Sequence, residues 1–252
     1  MTTINSELII DTNILKENIS YMKTQLNEKS NFMAVIKSDA YGHNIENVVT
    51  NIDDLVDGYG VVRISEAKKI RKISNKKILL MQGIYSDDEL HKAIELNLDT
   101  VIHNKDQFSI IKNNNYFDGL WLKINTGMNR LGFEIDDFLN LYNKYLYDKK
   151  FILMSHLAAS NDINSLSNKN QFKLFDNLSK KINKDIKKSI ANTGCVMNFP
   201  SHTYDWVRCG IGIYGGYFQD KNIKTAMTLR SPVVNVRNIK KGERVGYDGR
   251  AC

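Results

Sequence analysis

Residues 32–81 are FMAVIKSDAYGHNIENVVTNIDDLVDGYGVVRISEAKKIRKISNKKILLM. Short apolar runs begin at Phe32, Tyr59 and Ile78, and each has the length and the β-branched content of a buried strand. In the two longer segments between these runs, the apolar residues recur at helical spacing. Strand, helix and strand in immediate succession predict βαβ units and therefore a parallel sheet.

The same alternation extends to both sides of this stretch. Strands are predicted at 8–10, 32–36, 59–62, 78–81, 100–102, 119–124, 151–154 and 189–191. Helices are predicted at 44–56, 65–74, 87–97, 105–113, 136–147 and 165–183, and one more begins after Asp11. About eight such units fit a (β/α)8 TIM-like barrel better than an open sheet with fewer strands.

A second, all-β element is predicted to follow the barrel. Residues 225–237 are rich in β-branched side chains and lead through a turn at Lys240–Glu243 to another short apolar run, a pattern that predicts an antiparallel hairpin. We expect a barrel over 1–222 and the start of a β domain over 223–252, with strand 8–10 a candidate for packing with the β domain. Because a lone hairpin is only marginally stable, the β domain is expected to be incomplete in this chain.

Composition and charge narrow the class of protein. With 42% hydrophobic and 25% charged residues the chain has the composition of a globular protein, which excludes a disordered protein. The net charge is +7, but the densest basic run, 68–77, has its apolar residues at helical spacing, so we interpret it as a solvated helix face and expect no nucleic-acid partner. Apolar runs are too short to span a membrane. The three cysteines lack C-x-x-C spacing, and the N-terminus lacks the pattern of a signal peptide. We therefore expect a cytoplasmic protein with no metal site.

Three candidate functional residues follow predicted strands, where the active sites of such barrels lie. Lys37 directly follows the run 32–36, and a lysine in a partly dry site can form a Schiff base with an aldehyde. Arg130 follows the strand 119–124 and could hold a carboxylate or a phenolate. His156 comes after the strand 151–154. On position alone, a surface lysine, an exposed loop arginine and a buried core histidine are the better interpretations.

Two further segments have the composition of an anion site. Asn192 and Thr193 lie in ANTG (191–194), where hydroxyl and backbone N–H groups suit an anion at a helix N-terminus. Gly210, Gly212 and Gly215 satisfy G-x-G-x-x-G, but no amphipathic helix follows, so we reject a dinucleotide site. The glycines still let backbone amides approach a phosphate. Taken together, the strand ends predict a site for a phosphate-bearing aldehyde.

Five segments, in order along the chain, resemble the alanine racemase family, pyridoxal phosphate enzymes with an N-terminal barrel and a C-terminal β domain. They are AVIKSDAYGHN (34–44), KINTGMNRLGF (123–133), SHLAAS (155–160), ANTG (191–194) and RCGIGIYGG (208–216). The first two are the most specific. They argue against the shorter single-domain proteins of the same barrel group, in which the lysine is not followed by DAYGHN.

The resemblance implies a role for each matching residue. Lys37 would bind pyridoxal 5′-phosphate covalently and act as the acid–base group on one face of the substrate. The phosphate would be held by Tyr41, Asn192, Thr193 and the backbone amides of Gly210 and Ile211. Arg208 would face the pyridine nitrogen, Arg130 would hydrogen-bond the phenolic oxygen, and His156 would stack on the ring or support Arg208. Lys123 matches a lysine that is carbamylated in some members.

The function that the resemblance implies is interconversion of L-alanine and D-alanine for peptidoglycan synthesis by a cytoplasmic homodimer. The open alternatives are a racemase for serine or lysine and a non-catalytic protein that binds pyridoxal phosphate. In the family, the second base is a tyrosine of the β domain of the partner subunit, beyond residue 252. We therefore expect this 252-residue chain to bind the cofactor but to racemise poorly and to dimerise weakly. Asn125, Cys209 and Thr193 replace the usual Asp, Pro and Ser.

Overall fold

The structure is a computed structural model that describes residues 5–182 and 185–249. Its strands are β1 (Glu7–Ile10), β2 (Asn31–Val35), β3 (Gly58–Val61), β4 (Lys77–Leu80), β5 (Asp99–Ile102), β6 (Leu120–Lys123), β7 (Ile152–Met154), β8 (Lys187–Ser189), β9 (Trp206–Cys209) and β10 (Met227–Arg230). These strands form two sheets, one parallel and one antiparallel. Apart from 8–10, the short apolar runs of the sequence overlap strands of the parallel sheet.

Eight strands form the parallel sheet, in the order β8-β7-β6-β5-β4-β3-β2-β9. Its two end strands come together, since the Asp205 N–H donates to the Lys188 carbonyl at 3.1 Å and the Arg208 N–H to the Ala191 carbonyl at 2.9 Å. The Asp205 carboxylate also accepts from the Lys188 N–H at 2.8 Å. The sheet is therefore a nearly closed barrel, and the predicted (β/α)8 fold is confirmed.

One helix precedes β2, and others occupy the connections between the barrel strands. Their bounds are Thr12–Lys23, Ile45–Ile52, Ile64–Arg71, Asp87–Glu95, Lys105–Asn113, Ile135–Leu141, Leu166–Ser179 and Thr193–Asn198. Several begin at a polar side chain that accepts from the first turn, as Asp11, Ser86 and Asn104 do. The predicted helices agree with these bounds to within a few residues at most ends, because apolar periodicity and caps are both local signals.

The barrel sheet leaves out one predicted strand and includes one that was not predicted. The run 8–10 is a strand that pairs antiparallel with β10, with Ile9 opposite Thr228, and lies outside the barrel sheet, in agreement with the expectation that it is a candidate for packing with the region after residue 223. The strand that completes the barrel is β9, which was not predicted as a strand. Its four residues, WVRC, include a charged side chain and lack the apolar run that marked the other strands.

The predicted hairpin after residue 225 is also absent from the described residues. Only Met227–Arg230 of that region is a strand, and its partner is β1 rather than a later segment. The turn is present, since the Glu243 N–H donates to the Lys240 carbonyl at 3.0 Å. Local composition located the strand and the turn, but it could not identify a partner more than two hundred residues away.

The chain divides into two compact units. Asp11–Ala226 forms one and contains the barrel, and the described parts of Met1–Ile10 and Met227–Cys252 form the other. The predicted division into 1–222 and 223–252 stays a prediction. No helix in the described ranges is long and apolar enough to cross a bilayer.

Large apolar side chains fill the interior of the barrel. Met33, Leu79 and Val101 pack there with Trp121 and Trp206, whose rings meet edge to face at 5.8 Å. Because these residues belong to different strands, the strands are held in a fixed arrangement around a solid core. The loops that follow the strands are therefore displayed from a rigid support.

Candidate functional site

A cavity of about 670 Å³ lies at the carboxyl ends of the barrel strands. All ten residues predicted for the site line it, namely Lys37, Tyr41, Lys123, Arg130, His156, Asn192, Thr193, Arg208, Gly210 and Ile211. They follow or end five strands, β2, β6, β7, β8 and β9. The structure thus brings every predicted site residue to one cavity, while the role of each stays a prediction.

The chain makes an unusual turn directly after Lys37. Ser38, Asp39, Ala40 and Tyr41 all have left-handed backbone angles, with φ between 52° and 56°. Such a conformation costs about 1–2 kcal/mol per non-glycine residue, so other contacts must hold it. The Gly42 N–H donates to the Ser38 carbonyl at 3.1 Å and closes the turn. Because the turn is so tight, Lys37 and Tyr41 both line the cavity.

An aromatic cluster supports Tyr41 from behind. The Tyr214 ring lies 4.9 Å from the Tyr41 ring and 4.6 Å from the imidazole of His43. The Tyr214 hydroxyl donates to the Val35 carbonyl at 3.1 Å, which ties the cluster to β2. Burial raises the pKa of Tyr41, so its phenol keeps its proton and can donate a hydrogen bond to an anion.

Small residues and polar groups face Tyr41 across one end of the cavity. A Cβ atom at Gly210 would lie 2.7 Å from the Tyr41 hydroxyl oxygen, so only glycine allows this close approach. The Gly212 N–H donates to the Thr193 hydroxyl at 3.3 Å. The Asn192 side-chain oxygen accepts from the Cys195 N–H at 3.1 Å, which caps the helix Thr193–Asn198. Hydroxyl and backbone donors around a space without side chains suit a phosphate.

Arg208 is the buried cation of the site. Its guanidinium donates to the Ser155 carbonyl at 2.7 Å, to the Ser189 hydroxyl, and to Nδ1 of His156 at 3.4 Å. Burial lowers the pKa of Arg208 to about 10, which still leaves it protonated at neutral pH. These three bonds join the ends of β7, β8 and β9 and fix the guanidinium plane.

Neighbouring cations change the protonation of Lys123 and His156. Burial lowers the pKa of Lys123 to about 8, and the charges of Arg208 and Arg130 add to this effect. Burial, followed by Arg208 and the other cations, lowers the pKa of His156 to about 3, so the imidazole is neutral at pH 7. Since Nδ1 of His156 accepts from Arg208, we place its proton on Nε2. The cavity is strongly positive and suits anionic groups.

The turn that carries Arg130 is stabilised by Asn125. The Asn125 oxygen accepts from the N–H groups of Gly127 and Asn129, each at 3.1 Å. Its amide nitrogen donates to the Glu134 carboxylate at 2.8 Å. The usual aspartate could make the first two bonds but would repel Glu134, so asparagine suits this chain.

Gln171 supports the loop of His156 and was missed by the sequence analysis. Its amide nitrogen donates to the His156 carbonyl at 2.9 Å and to the Thr126 hydroxyl at 3.1 Å. Its oxygen accepts from the Ala158 N–H at 2.9 Å. Gln171 lies in the helix Leu166–Ser179, and nothing in the local sequence distinguishes it from other polar residues of that helix.

Comparison with known proteins gives consistent matches. The family profile for "Alanine racemase, N-terminal domain" matches residues 10–218. The chain is 36% identical over 247 residues to an alanine racemase of Vesicomyosocius okutanii, covering 94% of this chain and 68% of that protein. An alanine racemase of Coxiella burnetii is 34% identical over 256 residues, with 94% and 69% covered.

Solved structures match the fold over nearly the whole chain. Alanine racemase from Acinetobacter baumannii superimposes with a TM-score of 0.92 at 27% identity, covering 99% of this chain and 73% of that one. The fold is also shared with alanine racemase from Bartonella henselae, solved with covalently bound pyridoxal phosphate, at a TM-score of 0.87 and 22% identity, covering 98% and 72%.

Proposed function

The chain belongs to the alanine racemase family, and from that membership we propose that it binds pyridoxal 5′-phosphate and interconverts L-alanine and D-alanine. The observation that carries the proposal is the single cavity lined by Lys37, by the polar groups around Gly210 and by the cations Arg130 and Arg208. An aldehyde with a phosphate needs an amine and an anion site in one place, and this cavity offers both.

The donors present fit the phosphate of the cofactor. Tyr41 and Thr193 offer hydroxyl groups, and Gly210 and Ile211 offer backbone amides at a position where a side chain would collide with Tyr41. Asn192 caps the short helix behind them. We propose these five residues as the phosphate site. When bound, pyridoxal phosphate supplies an aldehyde for covalent attachment and a ring that withdraws electrons from the substrate Cα.

We propose that Arg208 lies against the pyridine nitrogen and leaves it unprotonated. A guanidinium donates hydrogen bonds but keeps its proton at neutral pH, and the pKa of about 10 is consistent with this. The neutral His156 accepts from Arg208 and so holds it without competing as a cation. Arg130, on the neighbouring turn, is proposed to donate to the phenolic oxygen.

Lys37 is proposed to remove or return the proton of the substrate Cα on one face. Racemisation also requires an acid–base group on the opposite face, and we assign that role to none of the described residues. Lys37 lies at the end of β2, with its ammonium group 5.9 Å from the centre of the Tyr41 ring. One turn of chain therefore positions both the covalent attachment and a phosphate donor.

We propose carbamylation of Lys123. The neutral amine attacks the carbon of CO2, an N–C bond forms while one C–O π bond breaks and leaves its electron pair on oxygen, and a proton passes from the nitrogen to water. Lys123 is buried beside Arg130 and Arg208, and its pKa of about 8 leaves roughly a tenth of it neutral at pH 7. A carbamate would place a negative charge between two arginines and would orient Arg130.

Family membership also supports three proposals, on oligomeric state, cellular location and the use of the product. We propose that the protein is a homodimer, that it is cytoplasmic, and that its product supplies peptidoglycan synthesis. Light scattering of the purified chain measures the first directly. A strictly monomeric chain at micromolar concentration would contradict the dimer.

The decisive experiment is borohydride reduction of the chain with pyridoxal phosphate, followed by peptide mass mapping. We expect one pyridoxyl group, on Lys37, and none in Lys37→Ala. Lys105→Ala is the matched control, because that lysine is exposed and pairs with Asp137 at the surface. D-Alanine formation from L-alanine is measured on unreduced portions of the same preparations, with Lys37→Ala as the blank. A label on another lysine, or no label, would refute the proposal.

A further inference from the structure

Glu66 connects the lysine turn to the neighbouring strand end. It belongs to the helix Ile64–Arg71, which follows β3, and only 9% of its surface is exposed. Its carboxylate accepts hydrogen bonds from three backbone N–H groups, those of Ser38 at 2.7 Å and of Val62 and Arg63 at 3.1 Å each. Three hydrogen bonds from backbone amides hold the carboxylate in one position.

The two carboxylate oxygens of Glu66 bind different parts of the chain. Oε2 accepts from Val62 and Arg63 and so caps the first turn of its own helix. Oε1 instead reaches Ser38, on a separate loop. Helix capping does not need the second bond, because the helix would begin at the same residue without it. The bond to Ser38 therefore calls for a different explanation.

Ser38 is the residue at which the chain leaves ordinary backbone angles. It directly follows Lys37 and begins the left-handed turn, which is unfavourable for L-residues. The Glu66 carboxylate binds the N–H of the Lys37–Ser38 peptide and therefore fixes the plane of that peptide. The direction in which the Lys37 side chain leaves the backbone depends on this plane.

We propose that Glu66 is a positioning residue for Lys37, holding the peptide after it so that the amine reaches the cofactor aldehyde. The inference rests on the proposed function, because it assumes that Lys37 is the point of covalent attachment. In that step the Lys37 nitrogen attacks the aldehyde carbon, a carbon–nitrogen bond forms, and the aldehyde oxygen leaves as water. Borohydride then adds hydride to that carbon and gives a stable pyridoxyl-lysine.

Glu66→Gln tests the bond with little change in size. A glutamine has one acceptor oxygen, and its NH2 group would face either the Ser38 N–H or the N–H pair at the start of the helix. Glu66→Asp keeps the charge but shortens the side chain, and it serves as a second variant should the first fold poorly. The matched control is Glu89→Gln, because the Glu89 carboxylate accepts from the Tyr85 N–H at 2.7 Å beside its own helix and does not reach the lysine turn.

Three measurements are made on each variant: the rate of borohydride-trapped labelling at Lys37, the affinity for pyridoxine 5′-phosphate, and the midpoint of thermal unfolding. We expect the labelling rate to fall about tenfold in Glu66→Gln, as for loss of one charge-assisted hydrogen bond. The affinity for pyridoxine 5′-phosphate, which has the phosphate but no aldehyde, is expected to be unchanged because Tyr41 is held by Tyr214. Glu89→Gln should label like the wild type.

The outcomes separate the positioning role from the proposed function. Equal labelling rates in Glu66→Gln, Glu66→Asp and Glu89→Gln would overturn the role of Glu66 and leave Lys37 as the attachment site. If Glu66→Gln and Glu89→Gln lost equal amounts of unfolding midpoint and also labelled equally slowly, the role would be overturned, since loss of stability alone would then explain the effect. A wild-type chain that takes no label at Lys37 would overturn both proposals.

Discussion

Lys123 shows how strongly one residue depends on its surroundings. As an isolated side chain it would be charged at every physiological pH. In the barrel it is buried at the end of β6 beside two arginines, and its pKa falls to about 8. Burial, together with the same cations, keeps His156 neutral. The sequence identifies both residue types, but only their packing sets their protonation.

The lowered pKa of Lys123 leads to a prediction about how its carbamylation depends on pH. Carbamylation needs the neutral amine, whose fraction grows about tenfold per pH unit up to the pKa and then levels off. At fixed dissolved CO2, ¹³C NMR should therefore show a carbamate signal that increases from pH 6 to about pH 8. The signal should be absent in Lys123→Arg, which keeps a positive charge but no reactive amine. A signal that persists in that variant would place the carbamate elsewhere.

At the scale of elements, the site depends on which loops are neighbours. β9 pairs with β2 in parallel, with Arg208 opposite Met33. The loop after β9 therefore lies beside the left-handed turn after β2, although the two are far apart in sequence. Gly210 and Tyr41 meet for this reason, and no local signal in either loop reports the contact.

Gly210→Ala tests this contact between loops. The added Cβ would lie 2.7 Å from the Tyr41 hydroxyl oxygen, so Tyr41, which is packed against Tyr214, would have to move. We expect affinity for pyridoxal phosphate, measured by fluorescence titration, to fall by about tenfold or more. Gly60→Ala is the control, because the nearest atoms to its Cβ would be the sulfur atoms of Met81 and Met33 at 3.1 and 3.4 Å and Cγ2 of Val35 at 3.4 Å, all farther away than the Tyr41 oxygen is from a Cβ at Gly210.

A double mutant shows whether the collision with Tyr41, rather than a general loss of stability, causes the effect of Gly210→Ala. If the collision with Tyr41 is the cause, Gly210→Ala should have a smaller effect when Tyr41 is already phenylalanine, since the colliding oxygen is gone. Effects that simply add in the double mutant would show that the methyl group acts through another contact.

At the scale of the whole molecule, cofactor binding should stabilise the barrel by mass action. A ligand at a hundred times its Kd contributes about 2.7 kcal/mol, which for a domain of this size raises Tm by roughly 5–10 °C. We expect such a shift with pyridoxal phosphate in scanning calorimetry. The shift should be smaller in Lys37→Ala, which keeps the phosphate site.

Pyridoxal, which has the aldehyde but no phosphate, is the ligand control for this measurement. It should raise Tm much less than pyridoxal phosphate at the same concentration. Equal shifts for the two ligands would mean that Tyr41, Thr193 and the Gly210 loop contribute nothing to binding, contrary to the proposed phosphate site.

The barrel fold and the members of the site could be predicted from the sequence. Strand length, helical periodicity and caps are local properties, which sufficed for the barrel. Position alone favoured structural roles for Lys37, Arg130 and His156, and it was the resemblance of five segments to a known family that predicted the site. Strand β9 was missed because its sequence, WVRC, contains a charged residue and lacks the apolar run of the other strands. Its pairing with β2 depends on a segment distant in sequence.

By itself the sequence determined which chemical groups the protein has and the order in which the barrel strands present them. Only the tertiary structure decided that β9 lies next to β2, that Glu66 binds the peptide after Lys37, and that burial among cations lowers the pKa of Lys123. The physical reason is that hydrogen-bond partners, desolvation and charge interactions depend on distances in space, and those distances exist only once the sheet has closed.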